Sequence, residues 1–186
     1  MEVSLIYTCL LVLAILVALN LKLTLHLFEL IRNPSILNPP FLAREIGEQL
    51  PTLKGKTLVN EVVELSGIEQ ATVLLFLSSR CPQCQEKLAE IESLIPLLEE
   101  AGLTLLLVTN EPKRHIVKFL KNGPLLENVL LVNKTSYKQI NPTLSTPYYL
   151  FVNHLTQLEA GGVIGDEDWQ SFLQQMDDMR QEEAVA

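Results

Sequence analysis

Cysteine is scarce in this chain, and so is the histidine that would complete a metal-ligand set. Three cysteines are too few for a multi-disulfide scaffold. The three histidines, at positions 26, 115 and 154, never pair at ligand spacing, and there is no second Cys-x-x-Cys. Positive charge is also in short supply, with 14 Lys and Arg against 22 Asp and Glu, a net charge of -8. An acidic surface repels phosphate backbones, so no nucleic-acid partner is expected. No internal repeat or low-complexity tract is present, which leaves an ordinary globular arrangement.

The apolar residues that are present are unevenly spread. From Val3 to Leu21 the only strongly polar side chain is Asn20. A bilayer core takes about 20 such residues as a helix. A cleaved signal peptide is the competing reading, but Met1-Glu2 carries no Lys or Arg and no small-x-small cleavage site follows. Residues 3–21 are therefore expected to form a retained single-pass anchor, with Cys9 as a small hydrophobe inside it. Lys22 to Arg32 reads as an amphipathic juxtamembrane helix, broken by Asn33-Pro34 and Asn38-Pro39-Pro40. The expected organisation is an anchor over 1–32, a linker over 33–50 and one domain over 51–186. Lys22, Arg32 and Arg44 all follow the span, so the positive-inside rule taken alone places that domain in the cytoplasm.

The domain alternates short apolar runs with helical patterns. Thr72 to Leu77 reads as a fully buried strand. After it, Leu88, Ile91, Leu94, Ile95 and Leu98 recur at helical spacing up to Gly102, with Pro96 expected to bend or shorten the helix. Strands follow at 103–108 and 129–132, with a helix from Glu111-Pro112 between them. A short helical turn near 136–140 precedes a strand at 148–152, which turns near Asn153-His154 into a hairpin partner within 155–163. Asp166 caps a final helix with Trp169, Phe172, Leu173 and Met176 on its apolar face. This alternation predicts an α/β fold with a mixed sheet flanked by helices.

Cys81-Pro82-Gln83-Cys84 stands at the joint between the first buried strand and its helix. Cys-x-x-Cys spacing there puts Cys81 at the helix N-terminus and Cys84 one turn on, where the two sulfurs can close a small ring. Unpaired N–H groups and the helix dipole favour an anionic sulfur, and thiols so placed have pKa values of roughly 3.5–7.5. Cys81 is thus the expected attacking thiolate and Cys84 the resolving thiol. Arg80 and Glu86 are candidate modulators. No metal and no cofactor beyond the redox-active pair is expected. Two other readings stay open: a tethered copper chaperone using His154, and an assembly factor whose cysteines are incidental.

Strand, Cys-x-x-Cys, helix and a later Thr146-Pro147 opening a strand together resemble the thioredoxin superfamily. The resemblance implies a cis bond before Pro147 and a Thr146 backbone that pairs with an extended substrate. The insertion at about 103–121 resembles TlpA-like and peroxiredoxin-related branches. The whole layout, and the phrase Leu74 to Cys84 above all, is similar to the MauD family of methylamine-utilisation accessory proteins. That likeness implies a thioredoxin-like fold with an N-terminal transmembrane helix, held in a bacterial inner membrane with its domain in the periplasm. It further implies a protein client with disulfides, as in methylamine dehydrogenase or cytochrome c maturation, and an upstream redox partner. Arg80 stands where thioredoxin has tryptophan, Leu75 where it has a buried aspartate, and Ala89 where its helices often have proline. These departures point away from a general reductase and toward a dedicated oxidoreductase.

Overall fold

The computed structural model of the chain describes residues 2–32 and 44–185. Its contacts divide into two units, Met1–Pro40 and Phe41–Ala186. In the first, α1 (Glu2–Arg32) is a helix of 31 residues. Its described side chains are Tyr7 and residues 11–25, all of them exposed. Cys9, His26 and Arg32 lie outside the described side chains, and the Asn33-Pro34 and Asn38-Pro39-Pro40 breaks lie outside the described residues. Among the described residues, no helix is long and apolar enough to cross a membrane.

The second unit is a seven-stranded mixed sheet with helices on both faces. Its elements are β1 (Lys54–Lys56), β2 (Val62–Glu64), β3 (Thr72–Phe76), α2 (Pro82–Glu100), β4 (Thr104–Thr109), α3 (Lys113–Phe119), β5 (Val129–Leu131), α4 (Lys134–Ile140), β6 (Tyr148–Val152), β7 (Leu158–Val163) and α5 (Glu167–Val185). The strand order is β2-β1-β5-β4-β3-β6-β7. β3, β4 and β5 are mutually parallel, while β6 runs antiparallel to β3 and pairs with β7 as a hairpin.

All five residues of β3 are buried, as a central strand covered on both faces requires. Alternation sends Val73 and Leu75 into the core that includes Ile91, Leu98 and Trp169, and Leu74 and Phe76 into a second core with Leu53, Tyr137 and Tyr148. On α2 the stripe Leu88, Ile91, Leu94 and Leu98 faces the first of these. Burial of each such side chain contributes about 1.5–3 kcal/mol. Gly102 ends the turn after α2 at φ +67, a conformation that costs glycine little. Asp166 caps α5, its Oδ1 accepting from the Trp169 N–H at 2.9 Å.

Pro96 lies inside α2, which is not shortened and runs on to Glu100. One expectation is corrected. Residues 44–50, assigned to the linker, pack into the domain: Gly47 N–H donates to Leu158 O at 2.7 Å, Leu50 N–H to Thr156 O at 2.9 Å, and Leu50 is buried. The hairpin β1–β2 went unforeseen, because Lys-Gly-Lys has neither length nor alternation. Gly55 is needed there, since a Cβ would stand 2.7 Å from Leu130 Cγ.

Candidate functional site

The parallel strands β3 and β4 both end at the same edge of the sheet, and the loops leaving that edge carry the site. Cys81 is the N-cap of α2, with φ -97 and ψ 113, and Pro82 occupies the first turn, where its missing N–H has no intrahelical partner to lose. The Cys81 sulfur fills the place usually taken by a serine or aspartate oxygen: it accepts from the Cys84 N–H at 3.2 Å. Both cysteines are free thiols, Cys81 half-buried and Cys84 fully buried. One sulfur is therefore open to a partner and the other is shielded behind it.

Antiparallel pairing of β6 with β3 brings a distant segment to the same edge. Tyr148 lies opposite Phe76, so Thr146 and Pro147 arrive beside the end of β3. The Thr146–Pro147 bond is cis. The Cys81 thiol faces the Thr146 carbonyl oxygen at 3.7 Å. Pro147 is buried and Thr146 half-buried.

Burial, first of all, pushes the Cys84 thiol up to about 12. The hydrogen bond with Cys81 and the charge on its sulfur act in the same direction, while the Ser78 backbone and the Thr146 side chain favour the ionised form. Thr146 thus meets both sulfurs, its carbonyl turned to Cys81 and its side chain to Cys84.

Arg80 is exposed one residue before the pair. Glu86 is exposed on α2, and the buried Cys84 sulfur finds its polar neighbours elsewhere. Sequence reasoning missed Glu111. Its carboxylate accepts from Ser78 Oγ at 2.8 Å, from the Ser79 N–H at 3.0 Å and from Ser79 Oγ. Burial opposes its ionisation, but the Ser79 and Ser78 hydrogen bonds and the charge of Arg80 outweigh it and hold the carboxyl below its usual range. The only hint in the sequence is an acid just past a buried strand that runs beside β3.

The topology also separates His154 from the thiols. It lies between β6 and β7, two residues past the Val152 that pairs with Thr72 at the opposite end of β3. Five residues of strand amount to roughly 16 Å. That distance argues against a shared copper site, and among the described residues no cluster of His, Cys, Asp and Glu could hold a metal.

Residues 46–137 match the sequence model of the AhpC/TSA family. This stretch of the chain is AhpC/TSA-like. It takes in Cys81, Cys84 and Glu111 and stops short of Thr146. A comparison with curated proteins found no match. Among solved structures, the fold is similar to a putative thiol:disulfide interchange protein DsbE from Chlorobium tepidum, with a TM-score of 0.62, 17% identity, and coverage of 72% of this chain and 96% of that one. The thioredoxin domain of a thiol-disulfide oxidoreductase from Bacteroides vulgatus gives a TM-score of 0.61 at 16% identity, covering 72% and 99%. The mitochondrial 2-cys peroxiredoxin from Plasmodium falciparum gives 0.52 at 16% identity, covering 75% and 96%. These likenesses show a thioredoxin-like fold.

Proposed function

We propose that this AhpC/TSA-like chain is a membrane-tethered thiol–disulfide oxidoreductase that exchanges electrons with a protein client through Cys81 and Cys84. The observation that carries the reading is the asymmetry of the pair. Cys81 is reachable and capped by the Cys84 N–H, whereas Cys84 is buried behind it.

In the reducing direction the ionised Cys81 sulfur attacks a client disulfide. A Cys81–client mixed disulfide forms and the second client sulfur leaves as a thiolate, which takes up a proton. Cys84 then loses its proton and attacks Cys81, so the Cys81–Cys84 disulfide forms and the client is released with both cysteines reduced. Two of the effects that hold Cys84 protonated come from the Cys81 sulfur itself. Both lapse once Cys81 is bonded to the client, so the resolving thiol is eased toward ionisation when its step arrives. Run backwards, the same steps oxidise a client dithiol. Each turnover inverts the oxidation state of the pair, which calls for a second redox partner to reset it.

The proposed tether is residues 3–21, of which 3–6 and 8–10 lie outside the described side chains. Support comes from α1, whose described side chains include exposed Leu, Val and Ile at ten of the fifteen positions 11–25. Such an aliphatic face is costly in water and stable in lipid. With the domain on the periplasmic face of an inner membrane, a disulfide-bearing client of the MauD type, such as the methylamine dehydrogenase small subunit, is the reading the sequence resemblance favours. The basic residues after the span favour the other face.

The test is an equilibration of the full-length chain, in detergent micelles and a Cys9→Ser background, with mixtures of reduced and oxidised glutathione. A reversible two-electron transition confined to Cys81 and Cys84 supports the reading. Failure to form that disulfide at any ratio abandons it. A compartment-sensitive reporter fused to the C-terminus decides the face of the membrane.

A further inference from the structure

Glu111 is joined to the thiol pair through the turn that leaves β3. Besides its three bonds to Ser78 and Ser79, its own N–H donates to Thr109 Oγ1 at 3.1 Å, which ties its main chain to the end of β4. The turn it grips is the one from which the cysteines hang. The Ser78 carbonyl accepts from the Cys81 N–H at 3.1 Å, and the Ser78 backbone also faces the Cys84 sulfur. One residue thus touches Glu111 through its hydroxyl and both cysteines through its main chain. Burial raises the Tyr137 phenol, the Asn141 side chain favours its ionised form, and charge on Cys84 and on Glu111 opposes it.

We propose that Glu111 is a positioning residue for the thiol pair, clamping the Ser78–Ser79 turn and keeping beside it one negative charge that favours the disulfide over the dithiol. The inference rests on the redox reading of Cys81 and Cys84. The carboxylate is held by hydroxyl and N–H donors and faces Arg80, so it stays charged at neutral pH. The reduced pair gains negative charge whenever a thiol ionises, and the disulfide has none. Repulsion from a fixed anion therefore falls on the reduced form alone. Arg80, exposed on the same turn, offsets part of it.

The experiment measures the equilibrium constant for reduction, in which the protein disulfide and two glutathione thiols give the dithiol and glutathione disulfide. The full-length chain in detergent micelles with Cys9→Ser serves as the reference, at pH 7 and pH 9. Glu111→Gln keeps the size of the side chain, removes its charge and leaves one oxygen to accept from Ser78 Oγ and the Ser79 N–H. The constant is expected to rise toward the dithiol, by at least about twofold at pH 9, where an ordinary thiol is substantially ionised, a shift of about 9 mV at about 30 mV per tenfold change. Arg80→Gln, at an exposed site that leaves folding intact, is expected to lower the constant. An unchanged constant in Glu111→Gln alongside a lowered melting temperature overturns the proposal and leaves Glu111 a structural clamp. A change toward the disulfide overturns it as well. If Glu111→Gln does not fold, an Arg80→Gln constant equal to the reference does the same. Absence of a reversible disulfide in the reference protein counts against the redox reading instead, so the two failures are distinct.

Discussion

The Thr146 carbonyl oxygen lies 3.7 Å from the Cys81 sulfur across a sequence separation of 65 residues. The β3–β6 register closes that distance, and a loop built around Asn141 holds the carbonyl in place. Asn141 is fully buried. Its Nδ2 donates to Ser145 O at 2.9 Å, and its Oδ1 accepts from the Ser145 N–H and from Thr143 Oγ1, each at 3.2 Å.

Asn141→Ala removes all three bonds and leaves the half-buried Ser145 main chain without them. A loss of about 2–3 kcal/mol in urea unfolding is expected. Exchange between Cys81 and a disulfide peptide should slow severalfold as Thr146 loosens, while Cys81 alkylation by a small reagent changes little.

Cys84 ties stability to alkaline pH. Its folded thiol is pushed up to about 12 from 9.0. The folded state therefore keeps a proton that the unfolded chain releases above about pH 9, and the stability linked to it is full below that value and lost as pH rises toward 12. The slope is about 1.4 kcal/mol per pH unit for one proton. Tyr137 and Tyr148 are also raised to about 12, so the comparison is with Cys84→Ala in thermal melts at two alkaline pH values. The gap between the two proteins should shrink as pH increases.

Glu111 acts at the acid end. Its folded pKa lies below its ordinary value of 4.5, so its stabilisation is present above that value and fades as pH falls through the folded one. Melts of wild type and Glu111→Gln should converge on acidification.

Gly55→Ala tests the junction of β1 with β5. The new methyl would sit 2.8 Å from the Leu131 carbonyl oxygen as well as against Leu130, and the backbone oxygen cannot step aside. A destabilisation of about 1–3 kcal/mol in chemical unfolding is expected.

Much of this architecture was legible in the sequence because it is written in contiguous patterns. Thr72 to Phe76 is a run that only a buried strand explains, the α2 stripe repeats at helical spacing, and Asp166 stands where a cap belongs. Cys81 and Cys84 were legible because spacing and position together define their chemistry. Thr146 and Pro147 came from family likeness, and β-strand register then placed Thr146 against Cys81. What stayed hidden is non-local. Lys54–Lys56 becomes a strand because β2 and β5 flank it, and Leu50 is core because it packs with residues far along the chain such as Leu158. Glu111 approaches Ser78 and Ser79 from the loop after a neighbouring strand, whereas Glu86, close to Cys84 in sequence, is exposed to solvent.

The most direct measurement is thiol trapping in cells with Cys84→Ser and Cys9→Ser combined. The account predicts a dithiothreitol-sensitive adduct between Cys81 and a second protein, lost when Cys81→Ser is added. A Cys84→Ser protein that is expressed and folded yet forms no adduct through Cys81 would contradict it.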